Sequence, residues 1–204
     1  MSREIAIKEP RDLEEEIINM CYLAKDMLEA TWEGFRKHSI ERLSEAEHIG
    51  REIHEKEKEL TYTITHHLSY KEPHIEKLAL VPGHIERIGD NIELLIRCIK
   101  TMIREGIPFS ERAIKEVNTL FAKCIELIEC LGDIIKTRNR VLVKYVIEEG
   151  KKFQDMVSEY ALAHQERLIE GTCLSKASSI FLAMLDYLTE IERHIRQITG
   201  KIGT

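Results

Sequence analysis

Glu86 and Asp90 stand four residues apart in the stretch HIERIGDNIELL, His84 to Leu95. On a helix that spacing puts two hard carboxylate oxygen donors on one face, which is half of a carboxylate metal site. Like charges at this spacing repel by roughly a few tenths of a kcal/mol. The pair is therefore either tolerated by solvent or relieved by a bound cation. A second helix must complete such a site, and Glu55 and Glu59, again four apart, are the matching donors upstream. His48 and His84 could add nitrogen, which would move the preference from Ca or Mg towards Fe or Zn. Downstream, Asp155 and Glu159 repeat the spacing, with Glu192 as their expected partner and Glu190/His194 as a stand-in pair. His164 has the surroundings of an ordinary partly buried histidine, and no role is assigned to it.

These residues need helices to position them. The 204-residue chain is 43% hydrophobic, mostly through Ile, Leu and Val, and has only 4 Pro and 10 Gly. That balance favours long uninterrupted helices over a turn-rich β fold. Ile85, Ile88, Ile92 and Leu95 form an apolar stripe beside the acids, so the segment is an amphipathic helix. Similar periodicity predicts helix one over about 11–37 and helix two from Ser39, its N-cap, to Leu68. Helix three runs from Pro73 to about Ile103, with a kink at Pro82-Gly83 because Pro82 cannot donate to the Leu78 carbonyl. Gly106-Ile107-Pro108 punctuates the midpoint. Three more helices follow, over about 110–136, 139–169 and 174–201, with Ser110 as an N-cap and Gly171 as a C-cap. The fold class is all-α, six long helices in two tandem three-helix bundles, residues 1–106 and 107–204.

Ile85-Glu86-Arg87 recurs as Ile191-Glu192-Arg193, with Ile92 and Ile198 in register behind them. This is a weak internal repeat of about a hundred residues. The two copies differ in charge, since Arg196 stands where Asp90 stands in the first.

The remaining chemistry is narrow. A formal net charge of −6, with basic residues interspersed among acids, gives no basic patch for nucleic acid. No apolar run approaches the roughly eighteen residues of a membrane span, and six acids fall within the first twenty residues, so a cytoplasmic location is expected. The five cysteines are scattered without a C-x-x-C pair and read as small core residues. Phosphate-loop, nucleophile-elbow and zinc-protease motifs are absent. A di-iron oxidase would need Glu-x-x-His on two helices, and the spacing occurs once, at Glu45 to His48.

Glu86-Arg87-Ile88-Gly89-Asp90, in the third helix of the first half, resembles the E-R-I-x-D signature of the PhoU family, whose members are tandem three-helix bundles. The second copy, Glu192-Arg193-His194-Ile195-Arg196, departs from it at Arg196, and an Asp-Leu-Arg run carried by many members is missing. His164-Gln165-Glu166-Arg167-Leu168 is similar to a segment of PhoU-like domains that stand alone or form cytosolic tails of sodium/phosphate cotransporters. The resemblance implies a cytoplasmic regulator of phosphate uptake rather than a catalyst. It would dock on components of the phosphate-specific transporter and its associated sensor kinase, and carry iron or zinc on acidic helix faces. It leaves homodimerisation open. It also implies a stronger site at Glu86/Asp90 than at Glu192, where Arg196 would compete with the cation. The alternative reading is a metal-dependent enzyme or metal-storage bundle with the acidic faces turned inward.

Overall fold

A computed structural model describes residues 10–68 and 73–203; the polar arm before the first helix and Tyr70 to Glu72 lie outside them. Seven helices follow in order: α1 Pro10–Lys37, α2 Ile40–Leu68, α3 Pro73–Leu78, α4 Val81–Glu105, α5 Glu111–Thr137, α6 Arg140–Ile169 and α7 Ser175–Ile202. Six of them are long, and no strand occurs among the described residues.

The ends follow the local chemistry. Ser39 Oγ accepts from the Arg42 amide at 3.3 Å, Ser110 Oγ from Ala113 at 3.2 Å and Asn139 Oδ1 from Val141 at 2.9 Å, which caps α2, α5 and α6. Gly106, at φ 59°, closes α4 in the left-handed conformation, and the Ile107 amide bonds back to the Met102 carbonyl at 3.0 Å. Gly171, at φ 70°, does the same beyond α6.

One expected element is corrected. Helix three is not a single kinked helix, because it breaks at Ala79-Leu80 into α3 and α4. Pro82 then sits in the first turn of α4, where a missing N–H costs nothing and the fixed φ of proline suits a helix start. The apolar phase continues across the break, and sequence periodicity cannot separate that from a kink.

In the first half α1, α2 and α4 pack on one another, in the second α5, α6 and α7 do. α4 also lies along α7, and α1 along α5. The buried side chains form one continuous apolar cluster through both halves, including Ile85, Ile88, Ile92 and Leu95 of α4 and Ile191, Ile195, Ile198 and Ile202 of α7. A run of aromatic contacts crosses the same junction. Trp32 lies over Phe121 with ring centres 6.4 Å apart, Phe121 over Phe35 at 6.1 Å, and Phe109 bridges from Phe35 to Phe181. The Trp32 indole N–H donates to Asn118 Oδ1 at 2.6 Å, so the half-buried ring packs without an orphaned donor. Cys21 and Cys124 are buried core thiols, and burial pushes that of Cys21 up to about 12. Among the described residues no helix is long and apolar enough to cross a membrane.

Phe121 is fully buried between α1 and its own helix, so Phe121→Ala is expected to destabilise the fold by about 4 kcal/mol. Urea unfolding followed by circular dichroism measures it, and a single transition is expected because both halves share one core.

Candidate metal grooves and the histidine bridge

α2 and α4 form the walls of a groove of about 440 Å³ that brings His54, Glu55, Glu86, Asp90 and Glu93 together. Glycines let the walls approach: a Cβ at Gly50 would sit 2.8 Å from the Met27 methyl and 3.2 Å from Glu93 Oε1. Glu86 is half-buried, whereas Glu55 and Asp90 are exposed. Three of the four expected first-half acids therefore share one groove. Glu59 does not line it. His48 contacts Arg51 at 3.2 Å and Glu52 at 3.5 Å, and His84 turns to α7, so neither supplies nitrogen here.

The nitrogen comes instead from His54, whose Nδ1 lies 2.7 Å from Glu86 Oε1. A carboxylate accepting from Nδ1–H fixes the tautomer and leaves Nε2 with a free lone pair, the usual support of a metal-bound histidine. Placing α2 against α4 was the missing signal, since no spacing within either helix connects His54 to Glu86. The donor set of one imidazole and several carboxylates fits Fe or Zn better than Ca. Among the described residues no three such side chains already converge on one point, so a metal here would have to draw the exposed carboxylates inward.

The second copy is built differently. Glu192 is fully buried and accepts from Arg196 Nε at 2.8 Å. Gly150 of α6 makes its space, since a Cβ there would collide with Glu192 Oε1. Burial raises the Glu192 carboxyl above the usual carboxylate range, although the Arg196 guanidinium pulls the other way. Asp155 and Glu159 are exposed, about 7.5 and 13.5 Å further along the α6 axis than Gly150 at 1.5 Å per residue. An internal guanidinium thus occupies the position beside Glu192 that Asp90 holds beside Glu86. Glu190 and His194 are also engaged: Glu190 bonds Arg193 at 2.6 Å, and Arg193 reaches His194 Nε2 at 3.1 Å.

His194 and His84 meet Nδ1 to Nδ1 at 3.0 Å, joining α7 to α4. Arg193 donates to His194 Nε2, so His194 carries its proton on Nδ1 and gives it to His84. Burial, then the charges of Arg193 and the neighbouring His84, push His194 down to about 4; His84 is lowered by burial and by Lys201, Arg193 and Arg87. Glu190 opposes the shift of His194 without cancelling it. The bridge is therefore neutral at pH 7. A second buried polar group, missed in the sequence reading, is the double hydrogen bond of Arg167 to Glu116 at 2.9 and 2.7 Å, which ties α6 to α5.

The fold defined by these helices is that of PhoU. PhoU from Pseudomonas aeruginosa superposes with a TM-score of 0.83 over 94% of this chain and 94% of that one, at 16% identity. The phosphate transport system regulatory protein PhoU from Streptococcus pneumoniae superposes with a TM-score of 0.84 over 94% of this chain and 92% of that one, at 9% identity. No family model matches the sequence, and no curated protein does.

Two outcomes follow from the charges. Arg196→Ala strands a buried carboxylate and is expected to cost about 3 kcal/mol at pH 7. Because the carboxyl of Glu192 is already raised, its protonation relieves that cost, so the deficit should shrink as the pH falls through the carboxylate range; unfolding at pH 7 and pH 4.5 measures it. His194 has the opposite sign of dependence. Its stabilising neutral form is complete above its ordinary value of 6.5 and is lost as the pH falls towards about 4, an effect of about 3 kcal/mol. His194→Gln should flatten the stability profile between pH 6.5 and 4.

Proposed function

We propose that this protein regulates phosphate uptake by docking on components of a phosphate-specific transporter and its associated sensor kinase, with no catalytic cycle of its own. The observation that carries the reading is the match of the PhoU fold across 94% of the chain in two structures, one of them a phosphate transport system regulatory protein. Long charged helix faces suit docking, because their potential selects and orients a partner without refolding. The exposure of Glu55 and Asp90 favours this over the inward-facing acids of a metal-storage or enzymatic bundle.

In this reading residues 1–106 and 107–204 are duplicated units that have diverged. Iron or zinc would be held in the α2/α4 groove by Asp90 and Glu55 with His54 Nε2, the imidazole being oriented by Glu86 through Nδ1, and would add positive charge to an otherwise acidic face. Glu59 lies beyond the groove, and Asp155, Glu159 and Glu192 form at most a weak second site, because Arg196 already neutralises Glu192.

Purified protein from cells replete in iron and zinc, assayed by elemental analysis, is expected to carry metal. Glu86→Ala/Asp90→Ala should lose it with the helical circular dichroism spectrum retained, while Glu192→Gln should retain it. Metal-free parent protein would exclude the metal part and leave the docking part standing. The docking part is tested by phosphate uptake in a strain lacking the protein, where a rate unchanged across phosphate-rich and phosphate-poor media would refute it.

A further inference from the structure

α4 and α7 leave an open cleft of about 700 Å³ where the two halves join, with the His84–His194 bridge in its wall. Arg87 and Arg193, which hold matching places in the two copies of the Ile-Glu-Arg repeat, line it from opposite helices. Leu80 and Leu94 give the same wall an apolar part.

Hydrogen-bond accounting leaves three donors over. Arg87 is exposed, and its guanidinium makes no hydrogen bond or ion pair among the described residues. Arg193 commits Nε and Nη2 to Glu190 and His194, which leaves Nη1 without a partner. A guanidinium is always a donor, so His194 Nε2 accepts from Arg193, His194 Nδ1–H donates to His84 Nδ1, and neutral His84 carries its own proton on Nε2. That N–H has no partner either. Among the described residues only His164 Nδ1 and Arg167 Nε are both buried and unpartnered, so the His84 Nε2–H is open to the cleft that its ring lines.

The charges are one-sided as well. Those that act on the His84 ring are Lys201, Arg193 and Arg87, all positive. Two acids also line the cleft, but Glu190 is held by the Arg193 fork and Asp90 stands on the ridge shared with the α2/α4 groove. An anion beside Arg87 and His84 therefore meets positive charge and donors that give up no other bond to receive it.

Size and donor number select the class of anion. Three donor groups match the three terminal oxygens of a phosphoryl group, where a carboxylate offers two. With a water molecule taking about 30 Å³ of liquid, inorganic phosphate alone leaves most of the cleft unfilled. The leucine side chains suit an organic body.

We propose that the α4/α7 cleft binds a small organic phosphate monoester, its oxygens received by the Arg87 fork, Arg193 Nη1 and the His84 Nε2–H, and its carbon body by Leu80 and Leu94. The site stands or falls independently of metal, since Asp90 is the one lining residue common to the cleft and the α2/α4 groove and takes no part in holding the anion.

The test is calorimetric titration of the full chain with glycerol 3-phosphate, inorganic phosphate and succinate at constant ionic strength. Glycerol 3-phosphate is expected to saturate one site and to shift the ¹⁵N resonances of the His84 ring and the Arg87 guanidinium. Arg87→Gln removes a side chain with no partner in the fold and should weaken binding by at least about tenfold. Gly83 lines the cleft, and a Cβ there meets nothing within 4 Å, so Gly83→Leu fills the space without disturbing the helix and should weaken binding as much. Lys144→Gln, which removes an α6 cation paired with Glu148, should bind like the parent. No saturable binding of glycerol 3-phosphate, parent-like affinity in both cleft variants, or an equal loss in Lys144→Gln overturns the proposal. Tighter binding of succinate or inorganic phosphate overturns the ligand class, and tighter binding of a phosphoserine tripeptide overturns the assignment to a free small molecule.

Discussion

The packing of α4 along α7 is the constraint on which the rest of this structure depends. Each helix presents a row of isoleucines, Ile85, Ile88 and Ile92 on one and Ile191, Ile195 and Ile198 on the other, and all are buried in one shared cluster. β-Branched side chains have few rotamers, so such rows fix helix rotation as well as contact. Once both helices are rotated to bury those rows, Glu86 and Glu192 are carried to the α2 and α6 sides respectively. His84 and His194 are carried towards each other. The grooves and the histidine bridge are consequences of one apolar registration.

The same backbone arrangement then meets two different electrostatic solutions. In the first half Glu86 is half-buried and supported by an imidazole, with exposed acids beside it that solvent or a cation can satisfy. In the second half Glu192 has no water to rely on, and Arg196, one turn away, supplies a fixed cation. A buried carboxylate without that partner would bear an uncompensated desolvation cost. The glycine at position 150 belongs to the same solution, because only a residue without Cβ leaves room for the carboxylate. The helix pairing is alike in the two halves while the chemistry between the helices differs.

The ends of the bundle follow another rule. Helix starts gather donors, and where α5 and α7 begin side by side the Ser110 hydroxyl accepts from the Ala113 amide and the Leu174 carbonyl from the Ala177 amide. The buried pair of Arg167 and Glu116 anchors α6 to α5 next to it, and the aromatic chain from Trp32 to Phe181 ends on the His164 ring. Polar and aromatic groups thus hold the end of the structure in a way that the aliphatic centre does not need.

The sequence by itself determined the helices, because amphipathic periodicity, Ser39, Ser110, Gly106 and Gly171 are local signals that act within a few residues. It also determined the charge difference between the two motif copies, since Arg196 in place of an acid is visible as a letter. Whether Pro82 kinks a helix or starts one was decided by the break of helical structure at Ala79-Leu80, where the apolar phase is the same either way. Only the tertiary structure decided what the acids meet across helices: His54 rather than His48 or His84 for Glu86, and Gly150 rather than Asp155 or Glu159 against Glu192. The physical reason is that helical spacing states which residues share a face, whereas the axial slide of one helix along another decides which faces meet, and that slide is set by side-chain packing across the whole core.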